Sequence, residues 1–197
     1  KVNATVNLND IAFDYGSFNS TAFSGEGIKN VTATILNHPD ADVAVSANTI
    51  TVSGLDAGNY TLEVIVVPDE NHNAVTGTVN VTVNKVDSKL TIPDITFTYG
   101  ESATVSAVIG NASGIANASV VGHPEANVTV NGTNITVSGL NAGTYTLTAT
   151  TVGDVNYNPV TVNATVTVKG VDVPAAQALS TNVPDNSQSP TFSINLP

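Results

Sequence analysis

The stretch ITVSGLDAGNYTL at residues 50–62 returns as ITVSGLNAGTYTL at residues 135–147, at an offset of 85. Self-similarity of this length is the signature of a repeated structural unit. Working outward, His38-Pro39 matches His123-Pro124, and Asp69-Glu70-Asn71-His72-Asn73 matches Asp154-Val155-Asn156-Tyr157-Asn158, both at 85. DIAFDYG at 10–16 matches DITFTYG at 94–100 at 84, so one residue has been inserted in between. Two copies of one unit therefore occupy residues 1–86 and 87–172. A unit of that size holds one small core, burying about 60% of the surface its unfolded chain exposes.

Both copies read as strands. Val75, Gly77, Val79, Val81 and Val83 alternate with Thr76, Thr78, Asn80, Thr82 and Asn84, and Val160, Val162, Ala164, Val166 and Val168 repeat the pattern. A period of two gives one buried and one wet face. The preceding strand places Tyr60, Leu62, Val64 and Val66 on one side, with Tyr145, Leu147, Ala149 and Thr151 as their counterparts. The 197 residues include 30 Val, 11 Ile and 27 Thr, types that suit strands better than helices. Turn signals recur near every ten residues and no stretch has a helical period, which predicts an all-β chain of two tandem sandwiches or barrels.

Composition excludes several functions. Sixteen acidic groups face five lysines and no arginine, a net charge of −11, so the phosphate-neutralising groups that nucleic-acid binding needs are missing. Cysteine is absent, which removes disulfides, thiolate metal sites and a cysteine nucleophile. No run of 18 apolar residues predicts a membrane span in this fragment. The chain opens at Lys1, carries no Met, and is expected to be a processed product or an excised fragment. Only 11% of residues are charged, while 24 Asn, 15 Ser and 27 Thr supply the polar surface. Neutral polar strands with low lysine content point to an extracellular or cell-surface module.

The segments Gly54-Leu55-Asp56-Ala57-Gly58-Asn59-Tyr60 and Gly139-Leu140-Asn141-Ala142-Gly143-Thr144-Tyr145 suit a corner in which the tyrosine hydroxyl bonds back to the chain. With TYGESATV (98–105) and SGLNAGTYTLTATTVGDVNYN (138–158), this chain resembles the bacterial and archaeal Ig-like repeat families, in particular the Asn- and Thr-rich adhesin-like surface proteins of methanogenic archaea. The resemblance covers nearly all of residues 1–172. It implies tandem Ig-like β-sandwiches acting as stalks on a cell surface, and it identifies a fold far better than a ligand.

Few residues separate the closing strand of the first copy from the opening strand near Leu90, which predicts a stiff end-to-end connection. Residues 173–197 form an extended tail. Pro174, Pro184 and Pro190 mark a linker, and Phe192, Ile194 and Leu196 then alternate as an orphan strand. Such a strand is unstable alone, so it either begins a further domain or pairs with another chain by strand donation.

Four constellations carry chemistry on paper. Asp69, Asn71 and Asn73, with Asp154, Asn156 and Asn158, have the oxygen spacing that opens a calcium loop. They lack the later Gly and Glu of such a loop and read better as Asx turns, with Tyr157 packing inward. His38-Pro39-Asp40 and His123-Pro124-Glu125 set imidazole beside carboxylate but have no nucleophile, so each reads as a turn. A lysine-to-asparagine isopeptide bond has Lys29 and Lys89 as its candidates, and neither recurs in the other copy. The glycosylation sequon occurs at Asn3, Asn19, Asn30, Asn59, Asn80, Asn111, Asn117, Asn127, Asn131, Asn134 and Asn163, where chance placement predicts about five. Part of the excess comes from alternation itself, because N-x-T puts both polar side chains on one strand face.

The expected function is that of a non-enzymatic stalk or adhesin on the cell surface, with no cofactor and no metal. Expected partners are other copies of itself or neighbouring Ig-like repeats, and a host-cell or surface ligand. The first alternative is a self-assembling filament in which residues 191–196 complete a neighbour's sheet. The second is an accessory binding module of a secreted enzyme.

Overall fold

The computed structural model describes residues 1–172. The tail and its strand-donation candidates Phe192, Ile194 and Leu196 lie outside the described residues. All regular structure among the described residues is β, in two units of the same design.

In the first unit Ile11–Asp14, Thr76–Asn84, Gly58–Pro68 and Ile28–Ile35 form a four-stranded sheet in that spatial order. Phe18–Ala22, Thr49–Ser53 and Asp42–Ser46 form a three-stranded sheet. The second unit repeats this with Ile95–Thr98, Thr161–Lys169, Gly143–Thr151 and Ile115–Val120, and with Ser102–Ser106, Asn134–Ser138 and Asn127–Asn131. Each unit is a sandwich whose inward residues are the alternating set. Ile50, Val52, Leu62, Val64, Val66 and Val81 are fully buried in the first, and Ile135, Val137, Leu147, Ala149 and Val166 in the second. The cores are separate clusters, one per unit. The closing strands span nine residues each, Thr76–Asn84 and Thr161–Lys169.

One parallel pairing is common to both units. The first long strand lies parallel to the closing strand, Ile11 opposite Val81 through Asp14 opposite Asn84, and likewise Ile95 opposite Val166 through Thr98 opposite Lys169. Asp10 and Asp94 fix the entry, their Oδ1 atoms accepting from the backbone N–H groups of Asn80 (2.9 Å) and Thr165 (2.8 Å). The opening strand of the second copy, expected near Leu90, is the short strand Lys89–Thr91, paired antiparallel with Val108–Gly110. The long first strand begins five residues later, beyond Pro93, which lacks the N–H that a ladder requires.

The tyrosine corners form in both units. Tyr60 Oη donates to the Asp56 carbonyl at 2.8 Å, and Tyr145 Oη to the Asn141 carbonyl at 3.0 Å. Burial is the main cause that raises the Tyr60 phenol above its usual pKa, helped by the Asp56 and Asp40 charges. His38 and His123 stand edge-on to these rings at 4.8 and 4.7 Å between centroids.

Candidate functional site

The corner of the first unit meets a loop of the second. The Asn156 side chain serves both halves of the contact. Its Oδ1 accepts from the Ala57 N–H at 2.8 Å, and its Nδ2 donates to Asp56 Oδ1 at 2.9 Å. Tyr157 meets Tyr15 edge to face at 5.5 Å between centroids, an arrangement that aromatic quadrupoles favour. The expectation that Tyr157 packs inward is therefore corrected, because its ring points across the junction toward the other unit. Tyr15, Phe18, Leu55, Asp56 and Tyr157 line a cleft of about 610 Å³ between them.

The loop that delivers Asn156 is shaped by its first aspartate. Asp154 Oδ1 accepts from the backbone N–H groups of Asn156 and Tyr157, both at 2.8 Å. This is Asx-turn chemistry, and it turns the Asn156 side chain outward. The linker between the units joins the same loop. Val86–Asp87 pairs parallel with Tyr157–Asn158, Asn158 Nδ2 donates to Asp87 Oδ1 at 3.0 Å, and Lys85 Nζ donates to the Asp154 carbonyl at 2.6 Å. The linker is thus a strand of the second unit's lower end rather than a free tether.

The calcium candidates of the first copy have the same local fold. Asp69 Oδ1 accepts from the Asn71 N–H at 2.8 Å and lies 2.6 Å from His72 Nδ1. Those bonds, led by the one to the His72 side chain, hold the Asp69 carboxyl below its usual pKa. Asn73 Nδ2 donates to Asn3 Oδ1 at 3.2 Å, and Val2–Asn3 pairs parallel with His72–Asn73. The Asp69 and Asp154 Oδ1 atoms are taken up by turn contacts, and Asn156 Oδ1 by the Ala57 N–H. Among the described residues no three His, Asp or Glu side chains come together.

The His38-Pro39-Asp40 and His123-Pro124-Glu125 segments are turns, with the Ala41 and Ala126 N–H groups donating to the His38 and His123 carbonyls. Glu125 Oε1 lies 2.8 Å from His123 Nδ1, the largest of the causes that lower its pKa. Lys29 and Lys89 are both exposed. All eleven sequon asparagines are exposed, but their amides differ. Asn19 Nδ2 donates to the Ala12 carbonyl at 2.8 Å and Asn80 Nδ2 to Asp10 Oδ2 at 3.3 Å, so these two nitrogens are already engaged.

Sequence reasoning did not find the junction. It read Asp154, Asn156 and Asn158 as an Asx turn, with calcium as the weaker alternative, and Tyr60 as a corner, but did not see that the two motifs meet across the units. The signal was present in the repeat itself, since each copy carries both halves.

The sequence matches no family model, and no curated protein matches it. Among solved structures it is similar to domains A168–A170 of titin, with 14% identity, 88% of this chain and 68% of that chain covered, and a TM-score of 0.47. It is also similar to domains 4 and 5 of the S-layer protein SbsC, at 18% identity over 76% of this chain and 82% of that one, with a TM-score of 0.36. The D00-D0 domains of intimin match at 16% identity over 86% of this chain and 100% of that one, with a TM-score of 0.38. The likeness is to tandem Ig-like sandwiches, which is the fold described above.

Proposed function

We propose that this chain is a non-enzymatic segment of an extracellular stalk of the Asn- and Thr-rich adhesin-like type, two repeat units transmitting load and holding spacing on a cell surface. The observation that carries the reading is the parallel pairing of first and closing strands in both units. A pull on the two ends of such a unit draws the paired strands past one another. The ladder hydrogen bonds are then loaded together and not one at a time. The junction continues this logic, with four consecutive residues, 85–88, bound to the loop of the next unit by side chain or backbone. Acidic, arginine-free surfaces also keep neighbouring stalks apart at low salt. Several of the exposed sequons are glycan acceptors in this reading, Asn19 and Asn80 excepted.

Immunogold labelling of intact source cells with antibody raised against residues 1–172 tests the location. Label on unbroken cells is expected, and label that appears only after lysis would contradict it. In single-molecule pulling, Tyr15→Pro should lower the unfolding force of the first unit alone, because it removes the N–H that donates to the Asn84 carbonyl at 2.9 Å at the end of the clamp. Equal forces for both units in that variant would remove the load-bearing argument.

A further inference from the structure

The cleft between the two units carries more than their contact needs. Tyr15, Phe18 and Tyr157 line it, three of the ten aromatic residues that five Tyr and five Phe give the chain. Phe18 is 66% exposed and belongs to neither core. Its partner in the repeat is Ser102, which opens the strand Ser102–Ser106 as Phe18 opens Phe18–Ala22. The fold therefore does not require a ring at this place. The junction does not use it either, since its aromatic contact is between Tyr15 and Tyr157.

Polar groups share the same walls. Ser17, Ser53 and Asp56 stand beside the rings. Asp56 gives Oδ1 to Asn156 Nδ2 at 2.9 Å and keeps Oδ2 as an acceptor. No lysine lines the cleft and the chain has no arginine, so an anionic ligand finds no counter-charge there. Tyr15 and Tyr157 pack on each other edge to face, which closes the gap that an aromatic cage keeps open for an ammonium ion. The chemistry left is that of a neutral ligand with an apolar face for the ring and hydroxyls for the rim. The volume, about 610 Å³, is that of a small-molecule site, and such sites favour junctions between domains.

We propose that this cleft binds a neutral pyranose sugar. The C–H face of the sugar stacks on Phe18, because the face of an aromatic ring carries the negative side of its quadrupole. Asp56 Oδ2 accepts from one sugar hydroxyl, and the Ser17 and Ser53 hydroxyls, each both donor and acceptor, meet its neighbours. Tyr157 bounds the ligand from the second unit, so a bound sugar touches both units and stabilises their junction through its own binding free energy. The inference adds a ligand site to the spacer role and stands on the cleft alone, whatever the location of the protein. One exposed ring and a few hydroxyls give a weak site, with a Kd of about 1–10 mM. Many copies standing side by side multiply that affinity.

The test titrates the full chain with the methyl glycosides of glucose, galactose, mannose and N-acetylglucosamine, each to about 50 mM so that a millimolar site saturates, and follows the amide spectrum. At least one glycoside should give saturable shifts, centred on residues 15–18, 53–57 and 156–157. Phe18→Ser installs the residue of the other repeat, so it should keep the parent melting temperature and weaken binding by about tenfold. Asn156→Ala, which cuts the side-chain bonds that hold the second unit against the cleft, should weaken binding as well. Tetramethylammonium chloride is the control for a cation site. No saturable shift with any of the glycosides, shifts centred elsewhere, undiminished binding in Phe18→Ser, or saturation by tetramethylammonium and by none of the sugars would each overturn the proposal.

Discussion

Ala47 holds a left-handed backbone at φ 50°, and its repeat partner 85 residues on is Gly132 at φ 63°. The left-handed region brings an alanine Cβ against the chain, at a cost of roughly 1–2 kcal/mol, part of which glycine returns to unfolded-state entropy. Ala47→Gly should therefore stabilise the first unit by about 0.5–1 kcal/mol, read as a shift in its urea midpoint by circular dichroism. A second pair of repeat partners differs in polarity. Ser88 and Thr151 are buried in the second unit with their hydroxyl oxygens 2.6 Å apart, while Ala4 and Val66 stand at those positions in the first. Losing the Ser88 hydroxyl leaves Thr151 Oγ1 with its bonds to the Val160 N–H (2.8 Å) and carbonyl (3.4 Å), so Ser88→Ala should cost about 0.5–1.5 kcal/mol, the net worth of one hydrogen bond. Adding Thr151→Val should cost less than the sum of the two single changes, and additive costs would show that the pair is not coupled.

The titrating pairs also act at this scale. Hydrogen bonds from His72 and His123 lower the Asp69 and Glu125 carboxyls relative to their unfolded values. A carboxyl whose folded pKa is depressed adds stability that is fully present above its unfolded pKa and is lost as pH falls through the folded one. Melting temperature should thus fall on acidification below the ordinary carboxylate range. Asp69→Asn with Glu125→Gln should flatten that slope, and an unchanged slope in the double variant would contradict the assignment. The tyrosine corners were legible in the sequence because Leu55, Gly58 and Tyr60 lie within six residues. The part played by Asn156 was not, because its partners Asp56 and Ala57 are about a hundred residues away.

At the scale of elements, alternation correctly placed the buried faces. Val79, Val81 and Val83 are buried in one closing strand and Ala164, Val166 and Val168 in the other. The direction of pairing was not readable, since a period of two looks the same whether the neighbouring strand runs parallel or antiparallel. Thus DIAFDYG marked the repeat, but nothing in it announced a parallel edge. The loops between strands carry tight packing of their own. A Cβ on Gly25 would lie 1.9 Å from the Thr5 carbonyl oxygen, which belongs to the backbone and cannot rotate away. Gly25→Ala should therefore destabilise the first unit by about 1–3 kcal/mol, the usual cost of overpacking. Gly114→Ala meets nothing within 4 Å and should cost far less. Equal effects in thermal melts would mean that the Asn7–Ser24 bridge region yields easily.

For the whole molecule, duplication gives each unit the same corner and the same loop. Which of them meet is decided by the linker at residues 85–88. Its backbone pairs with the second unit, so the first unit's corner is carried onto the Asn156 loop. Asn156→Ala removes both side-chain bonds to that corner. Each unit should keep its own stability in this variant while the coupling between them is lost.

The most direct measurement is of residual dipolar couplings across residues 1–172 of the aligned chain. A locked junction predicts that one alignment tensor fits both units in the parent and that two are needed in Asn156→Ala. Separate tensors in the parent would show that the units move independently, and the load-transmitting account would fall.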